Sequence, residues 1–306
     1  MIRRLPPLAF ALLSFSAIAS PLAAQTLDDA VFMGERVLCA SLFLMHDSWN
    51  QYWEGDVKRS NGNIGTLTTQ EVSWMGAYGV TRKLTLMASV PYVKTTASQG
   101  PLEGQRGVQD LVLSAKYKVL STPLTSAGTL HVIAVGGYGT PVSDYTPDFL
   151  PLSIGLGAKR VIGRGTLSFQ AKRGWYVNGS TGYTWRSNVK LERPAYYTDN
   201  RLTLSDEVRM PNVADYVIAA GYKGHGFNVI VPYTTQRTLG GGDIRRQDMP
   251  FVSNRMNFSR IDAKVQYTLP MYRAATVVAG ASQVLNGRNV GQAKGYSFGL
   301  ILAGRP

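Results

Sequence analysis

The chain has 306 residues, with 32 Lys and Arg against 19 Asp and Glu, a formal charge of +13. Only 17% of residues are charged, while Gly reaches 32 and Tyr 16, a balance that excludes intrinsic disorder. Beyond the first 24 residues no segment holds the roughly 18 or more uninterrupted apolar residues of a spanning helix, which excludes a helical membrane protein.

Residues 1–24 read as a signal peptide. Arg3 and Arg4 form a positive start, Leu8 to Ala19 an apolar middle, and Ser20 to Ala24 a small-residue stretch, with cleavage expected after Ala24. Residues 25–306 are then one domain. A single cysteine, Cys39, rules out an internal disulfide framework and reads as a small strand residue.

From about residue 34, apolar residues recur with period two in runs of roughly ten, broken by Gly, Pro, Asn and Asp. In chain order the runs are 36–46, 68–79, 84–95, 109–119, 128–140, 150–161, 165–176, 181–190, 213–222, 226–235, 260–269, 274–284 and 293–303. The clearest carries Ile261, Ala263, Val265, Tyr267 and Leu269 on one face and Arg260, Asp262, Lys264, Gln266 and Thr268 on the other. Thr81-Arg82-Lys83, Gly163-Arg164-Gly165 and Gly224-His225-Gly226 are expected as tight periplasmic turns, and 47–66, 96–107, 191–212 and 236–258 as outer loops.

An odd strand count is not allowed if both termini lie on one side of a membrane. The runs 165–176 and 181–190 keep the same odd-numbered face, from Leu167 and Phe169 to Tyr183 and Trp185, and are read as one long strand. This predicts an all-β fold, a transmembrane antiparallel barrel of twelve strands; fourteen is the alternative if part of 191–212 pairs back. Val90-Pro91-Tyr92 and Val231-Pro232-Tyr233 predict a strand end, a bulge or a wall interruption, since proline gives the ladder no donor.

The aromatics decide between a soluble sandwich and a membrane barrel. Tyr78, Tyr92, Tyr117, Tyr138, Tyr222, Tyr233, Tyr267 and Trp175 fall on apolar faces near strand ends, as girdles at two membrane interfaces require. A lipid-spanning sheet must close, because an open edge leaves backbone groups unpaired in hydrocarbon. The expected location is the bacterial outer membrane, with membrane lipid, lipopolysaccharide and the barrel-assembly machinery as partners.

Nucleic-acid binding is not expected, since the basic residues alternate along strands or sit in loops. Gly155-Leu156-Gly157 and Gly240-Gly241-Gly242 specify no phosphate cradle, and His46, His131 and His225 show no metal-ligand spacing, so neither cofactor nor metal is expected. His46-Asp47-Ser48 cannot form a triad alone, because adjacent strand residues face opposite sides; the chain is not read as an enzyme. Inward candidates for the lumen are Glu71, Asp110, Lys116, Lys172, Arg186, Lys190, Arg260, Asp262 and Lys264. Trp49, Tyr52 and Trp53 in the first outer loop, with Tyr196 and Tyr197 in the longest, either form an aromatic capture surface or fold over the barrel as a plug. Tyr92, beside Pro91, joins the candidate solute contacts.

Three linked features carry a family resemblance. They are Tyr78-Gly79-Val80-Thr81-Arg82-Lys83-Leu84-Thr85-Leu86, then Val90-Pro91-Tyr92, then Gly104 to Gly107 leading into Gln109-Asp110-Leu111 and Ala115-Lys116-Tyr117. This pattern, firmest over 68–120, resembles the outer-membrane protein family associated with the meta-pathway of phenol degradation. The resemblance implies a transporter barrel, similar in concept to the long-chain fatty-acid channels, and passive uptake of small hydrophobic or aromatic solutes. A closed structural or receptor barrel and an anion-preferring pore are the alternatives. One departure is the C-terminus, Leu302-Ala303-Gly304-Arg305-Pro306, which lacks the usual terminal aromatic; Phe298 within the last run is the substitute.

Overall fold

A computed structural model describes residues 25–305, so the signal peptide expected over 1–24 lies outside the described residues. Among these residues twelve long strands form one sheet. They are β1 Leu38–Trp49, β2 Leu67–Gly79, β3 Leu84–Ala97, β4 Asp110–Thr125, β5 Gly128–Pro141 and β6 Arg160–Ala171. The second half comprises β7 Trp175–Arg186, β8 Val213–Gly224, β9 Phe227–Thr238, β10 Asn257–Thr268, β11 Ala275–Arg288 and β12 Lys294–Gly304. Successive strands are antiparallel, and β12 pairs with β1 from Leu38↔Gly304 to Ser48↔Lys294, which closes the sheet into a barrel.

The alternation in the sequence is what the two faces require, but with burial reversed relative to a water-soluble protein. Leu42, Leu44, Trp74, Leu86, Leu113 and Ile218 are exposed on the outside, while Ser41, Ser73, Thr85, Lys116, Ser168 and Asp262 are buried inside. Water would penalise this arrangement; hydrocarbon outside and a polar lumen inside favour it. Aromatics gather at both outer rims. Trp175 packs on Tyr222 with centroids 5.1 Å apart, and Phe227 on Tyr267 at 4.4 Å, at the turn end. Tyr183 and Trp185, 4.6 Å apart, lie at the loop end. Tyr233 departs from the expected girdle, standing mid-strand opposite Ile218.

Residues 165–190 are not one strand. β6 and β7 form a hairpin around Lys172-Arg173-Gly174, where Gly174 takes φ 91° and Gly174 N donates to Ala171 O at 3.0 Å. Partners such as Gln170↔Tyr176 and Ser168↔Asn178 are both even, so the hairpin preserves parity across its turn, and the shared odd face could not distinguish it from a continuous strand. Gly163-Arg164-Gly165, expected as a turn, lies inside β6, and 150–159, expected as strand, belongs to a loop. The total stays at twelve because the split of 165–190 is offset by the loss of a strand at 150–159, and the pairs Tyr196–Thr198 with Arg201–Thr203 and Val189–Lys190 with Glu207–Val208, which stay within their own loop, add none to the barrel.

The other tight turns are as expected. Thr81-Arg82-Lys83 joins β2 to β3, and His225 (φ 52°) with Gly226 (φ 80°) supplies the two left-handed residues of a primed hairpin turn between β8 and β9. The two prolines do not end their strands. Around Pro232 the ladder to β10 lapses between Ile230↔Lys264 and Tyr233↔Ile261, with the register unchanged on either side. At Pro91 the edge is held by Gln109 N donating to Pro91 O at 2.8 Å.

Depth can be tested on the lipid face. Leu167, outward and 56% exposed, sits mid-strand, whereas Val161 stands at the loop end of β6. Leu167→Arg is expected to lower the stability of the barrel folded in vesicles by about 2–4 kcal/mol and Val161→Arg by about 0–1 kcal/mol, read from urea titrations; equal costs would contradict the membrane-spanning orientation.

Candidate functional site

Parts of the same chain occupy the lumen at the turn end and cover it at the loop end. At the turn end, residues 25–37 fold back inside the barrel. Lys116 of β4, with no exposed side-chain surface, points its ammonium into this segment and donates to Thr26 O at 2.6 Å, Asp29 Oδ1 at 2.7 Å and Asp29 O at 3.2 Å. The Asp29 carboxylate also accepts from the Thr26 hydroxyl at 2.9 Å and from Val31 N at 2.8 Å, so one side chain both shapes the segment and holds the lysine. Met33 and Val37 then pack on Cys39, Ala77, Met87, Val278, Ile301 and Ala303 of the wall. Gly79 has to be glycine here, since a Cβ would collide with the Gly34 carbonyl. Neither Lys116 nor Asp29 tolerates burial alone; each is the other's compensation.

Around this plug lies a cavity of about 1070 Å³, bounded by residues 26–37 and the inner wall and reaching the turn-end rim at Arg82, Lys172 and Arg305. A belt crosses its side from β7 to β10, with Tyr176 OH donating to Asn228 Oδ1 at 2.7 Å and Asn228 Nδ2 to Gln266 Oε1 at 3.1 Å. Arg164 pairs with Asp215 and donates to Ser180 at 3.0 Å.

Loops of the same chain cover the other end. In 142–159, Tyr145 OH donates to Asp110 at 2.7 Å while Arg160 pairs with the same carboxylate at 2.9 Å, and Thr95 donates to Leu152 O at 2.5 Å. Burial is the largest influence on the Tyr145 phenol and pushes it well up, with Asp110 adding to the effect. Loops 187–212 and 239–256 share an apolar cluster of Val189, Leu191, Val208, Met210, Phe251 and Val252. Arg288 ties the first outer loop to 239–256, donating to Asp56 at 2.8 Å and to Asp243 at 2.6 Å. Asn289 accepts from Gly55 N at 2.8 Å and Ile244 N at 3.0 Å. The Arg288 hydrogen bond holds the Asp243 carboxyl below the usual range.

The predicted site residues separate into several groups. Glu71, Asp110, Lys116, Arg186, Asp262 and Lys264 face the lumen along their strands, and Arg260 donates to Asp262 at 3.1 Å. Lys172 lies in the β6–β7 turn at the cavity rim, and Lys190 is exposed in a loop, outside the lumen. Tyr92 is on the outer face and 44% exposed, so it meets lipid and not a lumen solute. The loop aromatics form no common capture surface. Trp49 and Trp53 lie over Gly291 and Gly287, where a Cβ would collide with either ring, and Trp53 is 7% exposed. Tyr52 packs against Trp49 at 6.2 Å. Tyr196 stacks on Phe251 at 5.3 Å and Tyr197 lies under Arg245 at 4.0 Å, in a different part of the cap. His46 stacks on Tyr296 at 4.8 Å on the outer face while Asp47 turns inward, so the His-Asp-Ser tripeptide is divided by the wall.

Missing from the sequence reading are the plug, with Asp29, and the clamp, Arg288 with Asp56, Asp243 and Asn289. The plug shows no periodicity, and the clamp joins residues more than 200 positions apart; no local signal marks either.

A family model described as "Putative MetA-pathway of phenol degradation" matches residues 57–299. The chain belongs to this family. Among solved structures, an outer-membrane channel from Pseudomonas putida F1 superposes with a TM-score of 0.71 at 14% identity, covering 92% of this chain and 99% of that one. At this identity the likeness establishes the fold, a barrel of outer-membrane type. The translocator domain of the autotransporter NalP from Neisseria meningitidis gives a TM-score of 0.45 at 13% identity, covering 91% of this chain and 90% of that one, too low to bear on the argument. No curated protein matches the sequence.

The clamp has a definite pH signature. Because the Asp243 carboxyl is held below its ordinary value, its contribution is complete above about pH 4 and is lost as pH falls through the depressed value. Amide hydrogen exchange in 239–256 is expected to stay flat from pH 7 to about 4, after correction for intrinsic rates, and to accelerate below that. Arg288→Gln should show the faster exchange already at pH 7; unchanged protection in that variant would remove the clamp.

Proposed function

We propose that the protein is an outer-membrane channel for passive entry of small hydrophobic or aromatic solutes, exported with a cleaved signal peptide and closed at rest by its own N-terminal segment. One observation carries this reading: a cavity of about 1070 Å³ inside a closed barrel, walled by apolar and polar side chains and occupied by a segment whose first residues are held by a buried ion pair. A cylinder built only for structure has no use for a void of drug-molecule size, whereas a concave mixed wall is what small solutes require. The basic surplus and exposed loop cations favour contact with acidic lipopolysaccharide. Outward Tyr296, Phe298 and Leu300 on the last strand offer the assembly machinery its aromatic signal.

The cap and plug together also favour a second reading, a permanently closed structural or receptor barrel. Planar-bilayer conductance separates the two. Wild type is expected to conduct weakly and intermittently. Lys116→Met removes one partner of a buried pair worth about 3–5 kcal/mol when broken, and should raise the mean open fraction at least about tenfold; Asp29→Asn should act in the same direction. Silence from all three folded proteins, verified by heat-modifiable mobility, would establish the closed barrel. Uptake of an aromatic hydrocarbon by cells with and without the protein tests the solute class, and equal uptake would remove it.

A further inference from the structure

The inner wall of the cavity is ordered in rows fixed by strand register. One row runs Ile230, Lys264, Gly280, Ser297, Met45, since each is the cross-strand partner of the next. The row nearer the turn end runs Asn228, Gln266, Val278, Gly299, Phe43. A Cβ on Gly299 would collide with the Phe43 ring, so that ring lies flat beside Val278 and makes a low apolar patch. Lys264 stands next to this patch, its stem over Gly280, where an added Cβ would meet Lys264 Cγ at 3.3 Å.

The charge of Lys264 is not used up by the protein. Lys116 takes Asp29, Arg164 takes Asp215 and Arg260 takes Asp262. Among the described residues Lys264 has no carboxylate within ion-pair distance, only a longer-range attraction to Asp28, which it shares with Arg164. Lys223, on the same cavity, is attracted at longer range to Asp29, already committed to Lys116. Two ammonium groups thus face a half-apolar, partly desolvated space with no carboxylate in direct contact with either, Asp28 and Asp29 acting on them only at longer range. A neutral hydrocarbon would cover the patch and leave the charge uncompensated; chloride would compensate the charge and leave the patch bare. An organic anion does both.

We propose that this cavity is a subsite for aromatic carboxylates of benzoate size. The carboxylate sits on Nζ of Lys264, Lys223 raises the local positive potential, and the ring lies against Phe43, Val278 and Met45. One row further toward the loops, Asp262 and Asp47 repel the anionic end and keep it on the plug side. This names the solute class of the channel proposed above and rests on that reading for passage, though binding is measured independently of conduction.

The test is equilibrium dialysis of labelled benzoate against the folded, detergent-solubilised protein, with benzyl alcohol as the neutral isostere and chloride as competitor. Benzoate is expected to bind saturably at one site and at least about tenfold more tightly than benzyl alcohol. Lys264→Met should weaken it about tenfold and Lys264→Arg no more than about threefold. Should Lys264→Met fail to fold, Lys223→Met is the second variant, expected to weaken binding about threefold. Equal binding of benzoate and benzyl alcohol, indifference to every lysine variant, or displacement of benzoate by an equal concentration of chloride would each overturn the proposal. Benzoate binding without conductance in any variant would remove the channel and keep the subsite; conductance without selective benzoate binding would remove the subsite alone.

Discussion

Everything in this molecule depends on closing the sheet. In hydrocarbon each backbone donor and acceptor must find a partner within the protein, and an edge strand costs several kcal/mol for every group left bare. The pairing of β12 with β1 settles that account for all twelve strands. It also turns the usual burial rule inside out. Leucines and tyrosines become the exterior, and serines, threonines, lysines and aspartates are enclosed.

That inversion creates a second problem, which the interior solves locally. Charges confined in a narrow cylinder are tolerable only when paired, and most are, through Arg164 with Asp215, Arg160 with Asp110, and Arg260 with Asp262. Lys116 differs because its partner is not on a strand. The barrel wall supplies the cation, and a separate segment supplies Asp29 and two backbone carbonyls. The first residues of the plug, 26–31, are therefore held by a contact that can be broken without disturbing a single ladder, while Met33 and Val37 anchor its end by apolar packing on the wall.

The barrel was legible from alternation because a two-residue period states directly which side each residue takes. Parity was informative for the overall count and misleading over 165–190, since a hairpin whose partners are both even looks the same as an uninterrupted strand. The local clue was Lys172-Arg173-Gly174, a glycine ending a charged pair. Lys116, Asp262 and Lys264 could be placed in the lumen from pattern alone, but the partner of Lys116 could not, because Asp29 sits in an aperiodic segment 87 residues away. The loop aromatics misled for another reason. Trp49 and Trp53 carry the same composition whether they greet a ligand or pack on a glycine, and the glycines they need, Gly287 and Gly291, come from the far end of the chain.

The reach of Arg288 gives the cap a temporal meaning. It touches Asp56, 232 positions earlier in the chain, as well as Asp243. The first outer loop and the final hairpin become neighbours only when the last strand meets the first, so this guanidinium has both carboxylates to hold only after the cylinder is complete. The seam of the lid is thus sewn by the same event that seals the wall, and until then the first outer loop lacks its tie to the rest of the cap.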